Sequence, residues 1–220
     1  MDIALSWSTG KDSLLSLKAA LDSGLKVSSL ITLLKTDDRV SVHGVRRKLL
    51  HEQAASLGFP LIEILQQHAE SYEKAVGEAL LKIKDSGIDH IAYGDLFLED
   101  IRAWRKKFHD KLGLKCLYPI WKRNTTNLAN EFIDSGFKAI LTCVNTQSLP
   151  LEFAGREFDH QLIRDLPQTV DPCGENGEFH TFVFDGPLFS KPIEFSKAKP
   201  KIIEFNEPGH SFTFGFCDLS

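Results

Sequence analysis

The chain has 220 residues, 42% hydrophobic and 25% charged, and its 26 Lys and Arg against 30 Asp and Glu leave a formal charge of −4. No apolar run approaches the roughly 18 residues of a membrane span, and a chain of this length buries about 70% of its unfolded surface, so a core needs neither disulfides nor a structural metal. The mild negative charge argues against non-specific nucleic-acid binding as the main occupation and favours a small partner. Cys116, Cys143, Cys173 and Cys217 are widely spaced without a C-x-x-C pair and read as free structural thiols. The first residues lack the basic and apolar regions of a leader, so a cytoplasmic protein away from membranes is expected.

Short apolar runs alternate with segments of helical period, the pattern of a parallel sheet wrapped by helices. Ile3-Ala4-Leu5 predicts a buried strand, and Leu14, Leu15, Leu17 and Leu21 a helix running to Gly24. Val27 to Leu34 predicts a second strand, Val45 to Leu57 a helix stopped by Gly58 and Pro60, and Leu61 to Leu65 a third strand. Tyr72 to Ile83 reads as a helix, and Ile88 to Tyr93 as a fourth strand ending at Gly94-Asp95. The next helix, Glu99 to Leu112, carries Arg102, Arg105, Lys106 and Lys107; Arg102, Trp104 and Arg105 could greet a phosphate or an anionic partner, but a solvated face is the simpler account. Asn124 to Ser135 predicts another helix and Ala139 to Val144 a fifth strand. Beyond Asn145 to Pro150 the texture changes. Pro167, Pro172, Pro187, Pro192, Pro200 and Pro208 crowd in, and alternation over Ile193-Glu194-Phe195 and Ser211 to Phe216 predicts antiparallel strands. The expected organisation is an α/β domain over 1–145 and a smaller α+β domain over 146–220.

The sharpest motif is Ser8-Thr9-Gly10-Lys11-Asp12-Ser13, between the first strand and the first helix. Ligands of open α/β sheets bind beyond the carboxyl ends of strands, where a helix N-terminus offers free N–H groups and a positive dipole end to phosphate. A Walker A loop is excluded because Asp12, not Ser or Thr, follows Lys11, and a dinucleotide loop because Gly10 stands alone. The bland alternative is a polar turn with Asp12 or Ser13 as helix cap. A second concentration is Asp171-Pro172-Cys173-Gly174-Glu175-Asn176-Gly177-Glu178-Phe179-His180-Thr181, where an extended backbone would aim Glu178 and His180 at one bound group. The bland reading there is a Gly-rich loop entering a strand from Thr181 to Phe184. His43 could touch a nucleotide or simply be solvated, and Asp95 lies where α/β sites gather. Neither His51-Glu52 nor Asp159-His160 has a partner at metal-ligand spacing.

The loop resembles the Ser-Gly-Gly-x-Asp-Ser pyrophosphate loop of the ATP pyrophosphatase superfamily, with Thr9 in place of the first Gly. Through nearly its full length the chain resembles the diphthine–ammonia ligase family. The resemblance is carried by this loop, His43-Gly44, Gln53-Ala54, Gly94-Asp95 with Arg102, Tyr118-Pro119-Ile120-Trp121, Gly155-Arg156, and Gly174 to Thr181 followed by Asp185-Gly186-Pro187. It implies a Rossmann-like, HUP-type nucleotide-binding domain, and a ligase that adenylates a small or protein-borne carboxylate with ATP and lets ammonia displace AMP. By the same resemblance Ser8, Thr9, Gly10, Lys11, Asp12, Ser13, His43, Gly94 and Asp95 are candidates to bind ATP, with magnesium at Asp12. Arg156, Glu175, Asn176, Gly177, Glu178, His180 and Thr181 are candidates for the acceptor, with Lys11, Asp12, Glu178 and His180 catalytic. The diphthamide-making branch typically reads Glu-Gly-Gly-Glu-Phe-Glu-Thr, whereas Asn176 and His180 replace a Gly and an acid here. The acceptor could therefore be another molecule, such as a cobalamin-salvage intermediate or an RNA, and a non-catalytic ATP-binding module is the rival from another class. RNA binding is disfavoured by the charge, and a homo-oligomer is compatible with the sequence.

Overall fold

The computed structural model describes residues 1–66, 72–207 and 210–220, so Pro208 lies outside the described residues. Five parallel strands, β1 (Asp2–Ser6), β2 (Lys26–Leu34), β3 (Leu61–Leu65), β4 (His90–Ala92) and β5 (Lys115–Leu117), form a sheet in the order β3-β2-β1-β4-β5. The helices α1 (Lys11–Asp22), α2 (Arg47–Leu57), α3 (Tyr72–Asp85) and α4 (Glu99–Leu112) connect them. The pleat of β1 sorts its side chains: Ile3 and Leu5 pack in the core that includes Leu14 of α1 and Leu50 of α2, while Ala4 faces the core built on Leu80 of α3 and Phe108 of α4. A parallel sheet covered on both faces is the Rossmann-like α/β arrangement.

After α5 (Thr125–Asp134), which Asn124 caps by accepting from Asn127 N at 2.9 Å, the chain enters a second sheet. Its strands are β6 (Lys138–Asn145), β7 (Phe179–Asp185), β8 (Lys201–Glu207) and β9 (His210–Phe216), antiparallel in the order β7-β6-β9-β8, with α6 (His160–Asp165) inserted after β6. Phe132, Ile140, Phe179 and Phe182 belong to the same core as Leu14 and Leu50, so the two sheets share one hydrophobic interior across α1 and α2. No helix among the described residues is long and apolar enough to cross a membrane.

Two expectations are corrected. The strand over Ala139 to Val144 forms, but inside the antiparallel sheet, and the fifth parallel strand is instead β5. The alternating Ile193-Glu194-Phe195 is not a strand. Ile193 N donates to Phe184 O at 2.7 Å, and the Phe195 ring packs against Phe182 and Phe184, so the apolar side chains serve loop packing rather than a ladder.

The order of the parallel sheet reverses between β1 and β4, which opens a crevice at their carboxyl ends. The two loops meeting there are Trp7 to Gly10 and Gly94-Asp95. A Cβ on Gly94 would lie 2.8 Å from Asp12 O and 3.1 Å from Ser13 N, so only glycine lets β4 close on the start of α1. Gly94→Ala is expected to destabilise the fold by about 2 kcal/mol through overpacking, read as a lowered urea midpoint. An unchanged midpoint would show that this backbone contact yields freely.

Candidate functional site

The loop after β1 is held from below by Gln53 of α2. Trp7 Nε1 donates to Gln53 Oε1 at 2.8 Å, and Gln53 Nε2 donates to Thr9 O at 3.0 Å and Val183 O at 2.6 Å. One buried amide thus fixes the loop to β7, with both its oxygen and its nitrogen engaged. Thr9 sits at φ 72°, the left-handed region that glycine occupies without strain, and its buried Oγ1 has no hydrogen-bond partner. Thr9→Gly relieves the backbone and removes the orphaned hydroxyl, against greater freedom of the unfolded chain. The expected net gain is about 1 kcal/mol, a rise in Tm of about 2–4 °C by calorimetry.

At the start of α1 the cap is Gly10, not Asp12 or Ser13, and no side chain of the loop caps the helix. Its place is taken across 170 residues of chain by Thr181 of β7, whose Oγ1 accepts from Lys11 N at 3.0 Å. Ser13 Oγ donates to Gly10 O at 2.9 Å, and the Ser8 and Ser13 hydroxyls lie 3.3 Å apart. Two hydroxyls and the dipole of a 12-residue helix therefore converge on the mouth of the crevice.

Lys11 runs inward. It is 1% exposed; its Nζ donates to Asp12 Oδ2 at 2.9 Å and to Cys173 O, and stands 5.1 Å from the centroid of the Phe179 ring. Burial is the largest influence and opposes the charge, but Asp12, Cys173 and Glu175 together outweigh it and keep the ammonium above its ordinary pKa. Burial also lifts the Asp12 carboxyl, against the pull of Lys11, with Asp171 adding to the rise. Asp12 Oδ1 is buried and without a partner. Asp95 and Glu175 feel the Asp12 charge as well, so Asp12 lies within reach of three further carboxylates, of which Asp95 is paired with Arg105.

The loop from Asp171 to Glu178 is shaped by its own acids. Asp171 Oδ1 accepts from Cys173 N at 2.8 Å and Glu175 N at 3.3 Å. Glu178, 5% exposed, accepts from Asp171 N at 3.0 Å, Asn176 N at 2.9 Å and Asn176 Nδ2 at 3.1 Å. The geometry that would aim Glu178 and His180 at one group is not what forms: β7 begins at Phe179, and the Glu178 carboxylate turns back into the loop. Gly174 and Gly177, at φ 68° and 82°, make the tight turns this requires.

Glu175 reaches the other way and accepts from Leu96 N at 2.7 Å, tying the loop to the segment between β4 and α4. Burial raises its pKa from 4.5 to about 7. The folded protein therefore holds a proton there that the unfolded chain releases, and stability falls as pH rises from about 4.5 through about 7. Glu175→Gln keeps an acceptor for Leu96 N but cannot ionise. Denaturation between pH 5 and 8 should show a flatter profile for the variant and greater stability than the parent above pH 7. A parallel pair of profiles would refute the assignment.

The rings of His43 and His180 lie 4.7 Å apart, tilted by 44°, and His43 Nδ1 donates to Thr181 O at 3.0 Å, so the proton of the neutral ring is on Nδ1. Burial lowers His43 to about 4, and burial with the neighbouring His43 and Lys11 puts His180 well below the usual range. Both imidazoles are neutral at pH 7. A Cβ on Gly10 would lie 2.7 Å from His43 Cε1, which places His43 directly against the turn of the Ser8 to Ser13 loop.

Arg156 stands apart from this group: its Nη2 meets Asp165 Oδ2 at 2.5 Å, so it is already paired with a carboxylate of its own chain. Arg105, read from sequence as part of a solvated face, is half-buried, pairs with Asp95 and lies 4.0 Å over the Tyr93 ring. The mix of Arg102, Trp104 and Arg105 hinted at an anion contact, and the anion Arg105 meets is the carboxylate of Asp95. Cys143 and Cys173 are buried, which pushes their thiols up, Cys143 to about 12, so neither is a thiolate nucleophile at neutral pH.

Residues 1–116 match the family model for the diphthamide synthase N-terminal domain, and residues 124–218 that for the diphthamide synthase C-terminal domain. The chain is similar to the diphthine–ammonia ligase of Danio rerio, 28% identical over 84% of this chain and 83% of that protein. It is 37% identical to the diphthine–ammonia ligase of Schizosaccharomyces pombe over 38% of this chain, a match that spans only 14% of the yeast protein. A solved structure of a predicted subunit of tRNA methyltransferase from Methanocaldococcus jannaschii aligns over 88% of this chain and 100% of its own, with 18% identity and a TM-score of 0.45.

Proposed function

This chain belongs to the diphthamide synthase family, and from that premise we propose that it is an ATP-dependent amide ligase. The observation that carries the reading is the meeting of the Ser8 to Ser13 loop with the Asp171 to Thr181 loop through Lys11, Cys173 and Thr181. A site that must hold a triphosphate beside a carboxylate acceptor needs both chain halves at one point, and these contacts supply that. In this reading the acceptor carboxylate attacks the α-phosphorus of ATP, pyrophosphate leaves, and ammonia then displaces AMP to give the amide. Ser8, Thr9, Gly10, Asp12 and Ser13 hold the leaving phosphates, and Lys11 supplies positive charge from beneath them. The neutral His43 and His180 orient ammonia or the acceptor by hydrogen bonds without adding charge, while Glu175 with Asn176, Gly177, Glu178 and Thr181 frames the acceptor side.

Magnesium is consistent with the residues present. Carboxylates beside a polyanion repel it unless a cation or protons intervene, and the unpartnered Asp12 Oδ1 is a free hard-oxygen donor. No three His, Cys, Asp or Glu among the described residues are arranged to hold a metal by themselves, which suits an ion arriving with the phosphates. Bound there, it would neutralise phosphate charge. We place the division of the chain between β5 and α5 rather than between 145 and 146, because β6 is already a strand of the antiparallel sheet.

Purified protein given ATP, ammonium and a panel of carboxylates should release AMP and pyrophosphate. Formation of ADP alone, or ATP binding with no acceptor-dependent turnover, would overturn the ligase reading.

A further inference from the structure

The segment from Lys35 to Arg46, between β2 and α2, folds into a narrow strap whose tip, Ser41 to Gly44, carries His43. Val40 N donates to Val45 O at 2.8 Å and closes its neck. At the tip Val42 sits at φ 68°, a left-handed conformation that a β-branched residue avoids, and its side chain is exposed, so its own packing does not hold it there. A backbone of this kind persists where its surroundings over-determine it. Three contacts with the second sheet do so. His43 Nδ1 donates to Thr181 O of β7, and Gly44 lies so close to Phe216 of β9 that a Cβ would come within 3.1 Å of the ring. The third is made by Asp218, just past β9. Arg39 Nη1 donates both to Asp218 Oδ1 at 2.8 Å and to Gly44 O at 2.7 Å, and Arg46 Nη2 donates to Asp218 Oδ2 at 2.5 Å. Asp218 is itself anchored, since its carbonyl accepts from Ala198 N at 2.9 Å and Leu219 beside it is buried. The two arginines hold the Asp218 carboxyl far below its ordinary pKa, so the clamp is charged at neutral pH. A cleft of about 200 Å³, lined by Val40, Val42, His43 and Phe216 among others, leaves the strap room to move once the clamp is removed.

We propose that Asp218 is a positioning residue, which through Arg39 and Gly44 holds the His43 ring against the Gly10 turn. Its importance for turnover rests on the ligase reading, in which His43 orients ammonia or the acceptor, but the placement of the ring can be tested without turnover. The titratable and charged groups around His43 are Lys11 and His180 on one side, and Lys35, Asp37 and Lys201 with the Arg39–Asp218 pair on the side of the cleft. By its field alone, loss of the Asp218 charge lowers the pKa of His43 and loss of the Arg39 charge raises it. Release of the strap exposes the ring to water and raises the pKa in both cases.

The experiment is an NMR titration of the His43 ring in the full chain, in Asp218→Asn and in Arg39→Met. Both variants should move the midpoint from about 4 toward the ordinary value of 6.5. Both should also lose the slowly exchanging Nδ1 proton that the bond to Thr181 O protects. That proton decides the matter even where only one variant folds, because a change of field leaves the bond in place. Shifts of opposite sign, no shift, or a retained Nδ1 proton overturns the proposal. Release of His43 in both variants, with acceptor-dependent AMP release at the parental level, would uphold the clamp and remove His43 from the ligase reading.

Discussion

Lys11→Met is expected to lower acceptor-dependent AMP release by about two to three orders of magnitude and to destabilise the protein by about 3 kcal/mol. Methionine matches the length of the lysine stem and keeps the packing against Phe158 and Phe179, so what is lost is the charge and its donors. Cys173 O then has no partner for its buried oxygen, and Asp12 keeps a largely buried carboxylate without its counter-ion. Asp12 remains about a quarter exposed, which holds the figure at the lower end of what breaking a buried pair does. Adding Asp12→Asn removes the uncompensated charge and should recover much of the stability but none of the activity. Urea denaturation and AMP release on the single and double variants separate the two effects. A double variant that regains activity would show that Lys11 only neutralises Asp12.

The parts of this site that the sequence reveals are those where one local rule suffices. A buried run followed by Ser8 to Ser13 and then helical spacing admits few placements, and the loop lies at the reversal of the strand order. What stays hidden is what depends on partners far along the chain. Glu178 carries nothing in its neighbourhood to say that its carboxylate folds back on Asp171 N and Asn176 N, and Arg105 nothing to say that its anion is Asp95. The strand β6 is buried on both faces over Ala139 to Val144, which is the texture of a parallel strand, because it is a central strand of the second sheet and packs against the shared core. β5 has only three residues, too few for an alternation to register. Gln53 is legible only through resemblance: its amide links Trp7, Thr9 and Val183, and no periodicity predicts a buried glutamine there.

These long-range ties give the site its stiffness. Thr181 takes the first N–H of α1, Val183 N donates to Thr9 O at 3.0 Å, and Glu175 holds Leu96 N, so the phosphate loop is braced by the second sheet on one side and by the 171–178 loop on the other. In the proposed reaction a loop braced in this way would meet a phosphate with its donors already placed, which is what electrostatic stabilisation of a leaving group requires. It also means that a change in the 171–178 loop reaches the Ser8 to Ser13 loop through Cys173 and Lys11.

Glu178→Ala is the strongest test of that coupling. It leaves Asp171 N, Asn176 N and Asn176 Nδ2 without their acceptor in a largely buried loop, and the expected loss is about 3 kcal/mol, or about 6–12 °C in Tm for a chain of this size. Because the loop carries Cys173 O to Lys11, the KM for ATP should rise along with the KM for the acceptor. Glu178→Gln is the discriminating variant. Its oxygen can keep the bonds from Asp171 N and Asn176 Nδ2, but its amide nitrogen then faces the Asn176 N–H, donor against donor, so a smaller loss of about 1–2 kcal/mol is expected. A group that only positions the loop leaves the pH dependence of kcat unchanged in the glutamine variant. A group that exchanges a proton with the substrate would take one limb of that profile with it. The geometry requires the first result, since every partner that Glu178 holds is a donor of its own loop.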